Sequence, residues 1–128
     1  MGGLAWFRIG AILGCLAVGV GAFGAHALKA RLESTGLSAT YQTGVQYHFY
    51  HALALLAVGL LAQSGRSGTA IQVAGWSFLV GIVLFSGSLY VLALTGITKL
   101  GAITPFGGLA MIVGWIALAV AAGGTTRQ

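Results

Sequence analysis

The sequence predicts an all-α integral membrane protein: a four-helix bundle running up-down-up-down, with a short interfacial segment between helices 1 and 2. Three observations predict it. Four apolar stretches, Ala5–Ala25, Val45–Ala62, Ala70–Leu94 and Leu100–Ala122, nearly fill the 128 residues. Each is close to the roughly 20 residues a helix needs to cross about 30 Å of hydrocarbon. Composition agrees, with 58% of residues hydrophobic and 5% charged, where a soluble domain carries about 25% charge. Finally, the polar residues within the stretches collect toward one membrane face. The chain reads as one four-span domain, residues 1–128.

Span 1 carries stripes of small residues. Cys15, Gly19, Ala22 and His26 share one helical face, and Ala17, Gly21 and Ala25 form a second row. Helices in lipid are held by close van der Waals packing, which small residues permit. Cys15 is expected to be a buried small hydrophobe, and as the lone cysteine it has no disulfide partner. A cleavable signal ending at Ala25-His26-Ala27 is the rival reading. The apolar run exceeds the usual signal core of about 7–15 residues, so span 1 is expected to be retained.

The connection from Ala27 to Gly44 is mildly amphipathic, with Leu28/Leu32 and Leu37/Tyr41 at i,i+4 spacing and Gly36 dividing it. It is expected to form short interfacial helical turns with Lys29, Arg31 and Glu33 toward water; an irregular loop is the alternative. In span 2, Tyr47, His48, His51, Ala54, Val58 and Ala62 fall within one arc, opposite Phe49, Leu53, Leu56 and Leu60. Large apolar groups suit lipid, so the histidines are expected to face inward.

The short polar link Gln63–Thr69 and the shorter Thr95–Lys99 force antiparallel neighbours. In span 3, Ser86 and Tyr90 share a face, while Ser88 points elsewhere and can bond its own helix. Span 4 opens with Thr104-Pro105-Phe106-Gly107-Gly108. Thr104 as N-cap with Pro105 at the first helical position is the favoured reading; a helix from Leu100 kinked at Pro105 is the other. Trp6 is expected in the interfacial aromatic belt, with Trp76 and Trp115 deeper.

The net charge is +5, with Glu33 the single acid. The basic residues lie at or beyond span ends and are too dispersed for a nucleic-acid site, so they read as anchors to the lipid bilayer. With both termini on one side, Arg8, Arg66 and Arg127 balance Lys29, Arg31 and Lys99. Charge therefore does not orient the chain.

The end of span 1, start of span 2, end of span 3 and start of span 4 share one side. They bring together His26, Tyr47, His48, His51, Ser86, Tyr90 and Thr104 as a candidate polar cluster or ligand-binding set. Three uses compete. As interhelical glue, such hydrogen bonds contribute about 0.6–2 kcal/mol each and specify register, making a small structural or accessory protein. As a binding or transport site they would take a small ligand, ion or proton, but no Asp or Glu lies within the spans. As a metal or haem site His26, His48 and His51 would serve, unsupported by any acid, Cys or Met at their level. The first is favoured. Within it His51 is expected to be neutral and central, and His48 nearer water and minor. No nucleophile–base constellation occurs, so no enzyme, catalytic residue, cofactor or metal is assigned. A homo-oligomer or larger membrane complex stays open.

The segments Gly21-Ala22-Phe23-Gly24-Ala25-His26, Tyr47-His48-Phe49-Tyr50-His51-Ala52-Leu53-Ala54, Phe85-Ser86-Gly87-Ser88-Leu89-Tyr90 and Thr104-Pro105-Phe106-Gly107-Gly108 resemble the YgdD/YwdK family of small bacterial membrane proteins. The resemblance spans all four stretches in order, including Gly114-Trp115. It implies a four-helix protein of the bacterial cytoplasmic membrane with relatives in eukaryotes. It implies no activity.

Overall fold

The computed structural model describes residues 1–124 and is all-helical; Arg127, counted above, lies outside the described residues. Helix α1 is Gly3–Ala25, α2 is Lys29–Thr35 and α3 is Ser38–Gln63. Span 3 is continuous over Thr69–Thr95 but built in three parts: α4 (Thr69–Gly81), a π turn (Ile82–Ser86) and α5 (Gly87–Thr95). A 3-10 turn, Thr98–Ala102, leads into α6, Thr104–Gly123. Four of these segments are long and apolar enough to cross a membrane.

The chain alternates direction. The amino group of Met1 donates to Gln72 Oε1 at 2.8 Å, and Arg66 Nη1 donates to the Ala121 carbonyl at 3.4 Å. The N-terminus, the 63–69 link and the described C-terminal end therefore share one side. On the other side, Arg31 Nε and Thr35 Oγ1 donate to the Leu94 and Ala93 carbonyls, each at 2.9 Å, tying α2 across the end of span 3.

The link between spans 1 and 2 holds less loop than expected. Gly36, at φ +71, ends α2 in the left-handed conformation, and α3 starts at Ser38 instead of Val45. Starting earlier moves every polar residue of span 2 deeper. At about 1.5 Å per residue, His51 lies near the midpoint of α3 and not near its end.

Spans 2 and 3 are the buried pair, with α1 packed on α3 and α6 packed on span 3. The tight contacts follow small residues repeated every seven positions. In α1 these are Gly3, Gly10, Ala17 and Gly24; in α3, Ala52 and Gly59; in α4, Ala74 and Gly81; in α6, Gly107, Gly114 and Ala121. A Cβ on Gly10 would come within 2.9 Å of the Ala52 carbonyl, and one on Gly59 within 2.6 Å of the Phe7 nitrogen. One on Gly81 or Gly114 would meet Met111 or Phe78 at 2.6 Å. Backbones approach this closely only where the side chain is absent, and a seven-residue period keeps such a seam facing its partner.

This seam overturns the facing expected for the Cys15–Gly19 row of span 1, whereas Ala17 and Gly21 of the second row do face the bundle, Ala17 fully buried and a Cβ on Gly21 3.3 Å from Val45. Cys15 is exposed, nothing lies within 4 Å of a Cβ on Gly19, and the packed row, through the buried Ala17 two residues from each, lies about 200° round the helix. Trp6 is also not interfacial: it is fully buried, its ring lying over Gly75 and edge-to-face with Trp76 at 5.4 Å. Gly75 leaves the space an indole needs, so Trp6 becomes the wedge between span 1 and span 3. In span 2, Leu53 and Leu60 face outward as expected, but Phe49 packs against the Tyr41–Val45 cluster. At the start of span 4, Thr104 is the first helical residue and makes no capping bond, with Pro105 in the first turn.

Candidate functional site

Tyr41, in the first turn of α3, is buried and donates its hydroxyl to the Val20 carbonyl of α1 at 2.6 Å. Its ring fills the space opposite Gly24 and lies 5.3 Å from the ring of Tyr90. Ser86, fully buried in the π turn, donates to the Gly44 carbonyl of α3 at 2.7 Å. One turn along, the Tyr90 hydroxyl lies 2.8 Å from His48 Nδ1. Ser88 bonds its own helix at the Phe85 carbonyl, 2.9 Å, and also reaches Thr104 Oγ1 of α6 at 2.6 Å. The deepest tie is between α3 and α6, where Trp115 Nε1 donates to His51 Nε2 at 3.0 Å.

The spacing of the span 3 motif explains its three bonds. At about 100° per residue, Ser86 and Tyr90 stand only about 40° apart and both reach α3. Ser88, two residues from each, points the opposite way and reaches α6.

His51 has both ring nitrogens engaged. Nδ1 lies 2.7 Å from the Tyr47 carbonyl, which can only accept, and Nε2 receives the indole N–H, which can only donate. These partners select the neutral ring with its proton on Nδ1. Phe78 and Trp115 flank the imidazole at 5.7 and 5.8 Å between ring centroids.

Several candidate residues sit elsewhere than expected. His26 is exposed at the end of α1 and joins no other candidate. It follows the packed Gly24 by two residues, roughly 200° around the helix, which turns it away from the bundle. His48 is buried and bonded to Tyr90, not close to water. Its Nε2 has no hydrogen-bond partner. Tyr47 is partly exposed, with its ring against Phe85 at 4.6 Å and its hydroxyl outside the network. The polar groups therefore form separate ties between helices, not one cluster. Among the described residues no group of three His, Cys, Asp or Glu could hold a metal ion.

Sequence reasoning missed Tyr41, Trp115 and the acceptor carbonyls of Val20 and Gly44. Tyr41 was hidden by the late start assigned to span 2. Trp115 carried a usable signal, because an indole N–H placed deep in a span needs an acceptor and His51 lies at the matching depth.

Residues 20–108 match the model of the family described as "Protein of unknown function (DUF423)". The chain belongs to that family. It is 53% identical over 114 residues to the UPF0382 membrane protein YwdK of Bacillus subtilis, covering 89% of this chain and 92% of that one. Two staphylococcal UPF0382 membrane proteins, from Staphylococcus saprophyticus and Staphylococcus epidermidis, are each 47% identical over 88% of the chain, covering 91% and 90% of their own lengths. No solved structure matches. Together with the four apolar spans, these relatives make this a multi-pass membrane protein of the DUF423 family. The matched stretch contains every tie described above between spans 1, 2 and 3, and the Ser88–Thr104 tie; Trp115 lies beyond it.

Proposed function

We propose that this chain is a small structural or accessory protein of the membrane and not an enzyme. The observation that carries this reading is the commitment of most of its interior polar groups, with Trp6 Nε1 and His48 Nε2 the buried side-chain atoms left without a partner among the described residues. Tyr41, Ser86, Ser88 and Thr104, the His48–Tyr90 pair and the His51–Trp115 pair are each spent on a bond to a neighbouring helix. The hydroxyl–imidazole pair closest in kind to a catalytic dyad, Tyr90–His48, has its imidazole 5% exposed, where no substrate reaches it. Ties of this kind fix helix register more than they add stability. Span 1 is the least buried of the four and presents Leu4, Ile12, Leu16, Val18 and Phe23 outward, a face available to lipid or to a larger complex.

The test is to solubilise native membranes in mild detergent and resolve the chain on a native gel. An accessory protein migrates in a particle larger than its own 13.0 kDa in a micelle. Leu16→Ala and Phe23→Ala, on the outward face of α1, should release it from that particle without lowering its thermal stability. Migration of the parent alone, unchanged by these substitutions, would defeat the reading.

A further inference from the structure

Spans 2 and 4 barely touch apart from the Trp115–His51 bond, and between them lies a cavity of about 910 Å³. That is within the roughly 300–1,000 Å³ typical of small-molecule sites. Its lining includes the buried Met111 and the half-buried Phe85. Tyr50 on one lip and Leu109 on the other are each more than half exposed, so the cavity opens sideways onto the surface that faces lipid, not toward an end of the bundle.

Its chemistry is specific. Aromatic rings dominate: Tyr47 lies 4.6 Å from Phe85 and 5.9 Å from the nearly parallel His51 ring, with Trp115 beyond. His51 and Trp115 have spent their N–H groups on each other and on the Tyr47 carbonyl. The rings of Tyr47 and Tyr50 lie 6.0 Å apart between centroids, and neither hydroxyl has a hydrogen-bond partner among the described residues. They stand in the first half of the 26-residue α3, where lipid tails supply no acceptor and an unpaired donor is disfavoured.

We propose that this groove binds a membrane-dissolved molecule with a flat ring bearing carbonyl oxygens, of the quinone class. The ring lies among Tyr47, Phe85 and Trp115, where offset or edge contacts favour a planar partner over an acyl chain. Its carbonyl oxygens accept from the Tyr47 and Tyr50 hydroxyls, and its apolar tail leaves past Leu109 into the bilayer. The proposal is independent of the accessory role and involves no redox step.

The experiment is a titration of the purified chain in phosphatidylcholine nanodiscs with decylubiquinone, following tryptophan fluorescence. Binding gives saturable quenching on top of the linear quenching from quinone dissolved in lipid. Trp115→Phe should remove most of the saturable part. The double variant Tyr47→Phe/Tyr50→Phe keeps both rings and loses both hydroxyls, and should weaken binding about tenfold. Leu109→Trp fills the groove while keeping the hydroxyls and should abolish saturation, which decides the matter if the double variant fails to fold. Purely linear quenching of the parent overturns the proposal. So does a phospholipid found on the parent by native mass spectrometry, lost from the double variant and not displaced by decylubiquinone, since the groove is then a lipid site.

Discussion

Gly59→Ala isolates the contact that holds span 1 to span 2. A Cβ there would lie 2.6 Å from the Phe7 nitrogen, 2.8 Å from the Gly3 carbonyl oxygen and 2.8 Å from the Phe7 Cβ. Two of the three are backbone atoms of α1, which cannot rotate away, so the helices must part by roughly 1 Å. A gap of that order forfeits about a quarter to a half of the dispersion energy of each contact it opens. Overpacking of this kind costs about 1–3 kcal/mol. The substitution also raises helix propensity by about 1 kcal/mol, which masks part of the cost. Gly19→Ala supplies the correction, because it brings the same gain in propensity and its Cβ meets nothing within 4 Å. The gap between the two variants, about 1–3 kcal/mol with Gly59→Ala the weaker, measures the seam alone. Loss of helical circular dichroism on titration with denaturing detergent reads it. Equal midpoints for the two variants would refute the assigned packing face.

The His48–Tyr90 bond is tested by a double-mutant cycle with His48→Phe and Tyr90→Phe: each single change should cost about 1–3 kcal/mol by orphaning its partner, and the pair should cost less than the sum. Phe49→Ala should destabilise while Leu53→Ala stays within about 0.5 kcal/mol, because Phe49 packs on the Tyr41–Val45 cluster and Leu53 is 58% exposed; equal melting of the two would reverse the facing of span 2. Cysteine labelling from one side of the membrane should reach an N-terminal extension, Ser67 and a C-terminal extension beyond Gln128 together, and Ser34 from the other side, in a Cys15→Ala background. Labelling of Ser67 and Ser34 from the same side would break the four-span topology.

The spans were legible because hydrocarbon imposes a length and forbids charge, and both constraints are written directly into composition. Facing was harder to read. In water, a buried face is the apolar face, but in lipid the outside is as apolar as the inside, so the contrast between Leu16 and Ala17 has to be judged by size alone. In span 1 small residues occur on several faces, and four-residue rows through Cys15 and Gly19 compete with the seven-residue row Gly3, Gly10, Ala17 and Gly24. Only the second row meets a matching seven-residue pair, Ala52 and Gly59, on the neighbouring helix. The inward turn of His51 was legible from its own helix. The bond to Trp115 depends on the angle between two spans, which no single-helix pattern contains.

The π turn belongs to that second class, and it explains why the polar motif of span 3 can serve two neighbours. Below it, α4 packs on α6 through Phe78 and Gly81, against Gly114, Met111 and Gly107. An uninterrupted α-helix would carry that packing face onward in its own phase. A π turn inserts one residue, so the part that follows is rotated by about 100° relative to such a helix. The rotation falls at Ile82–Ser86, between the face that meets α6 and the residues that meet α3. Within it Phe85 packs against Gly107, where only a missing side chain leaves room, and Ser86 reaches the Gly44 carbonyl. Beyond it Tyr90 is in phase with His48, and Ser88 keeps a link to Thr104. Span 3 thus changes its main partner from α6 to α3 along its length. Where α6 is released from the centre by that change, the two hairpins splay, and the opening is the groove lined by Phe85, His51 and Trp115.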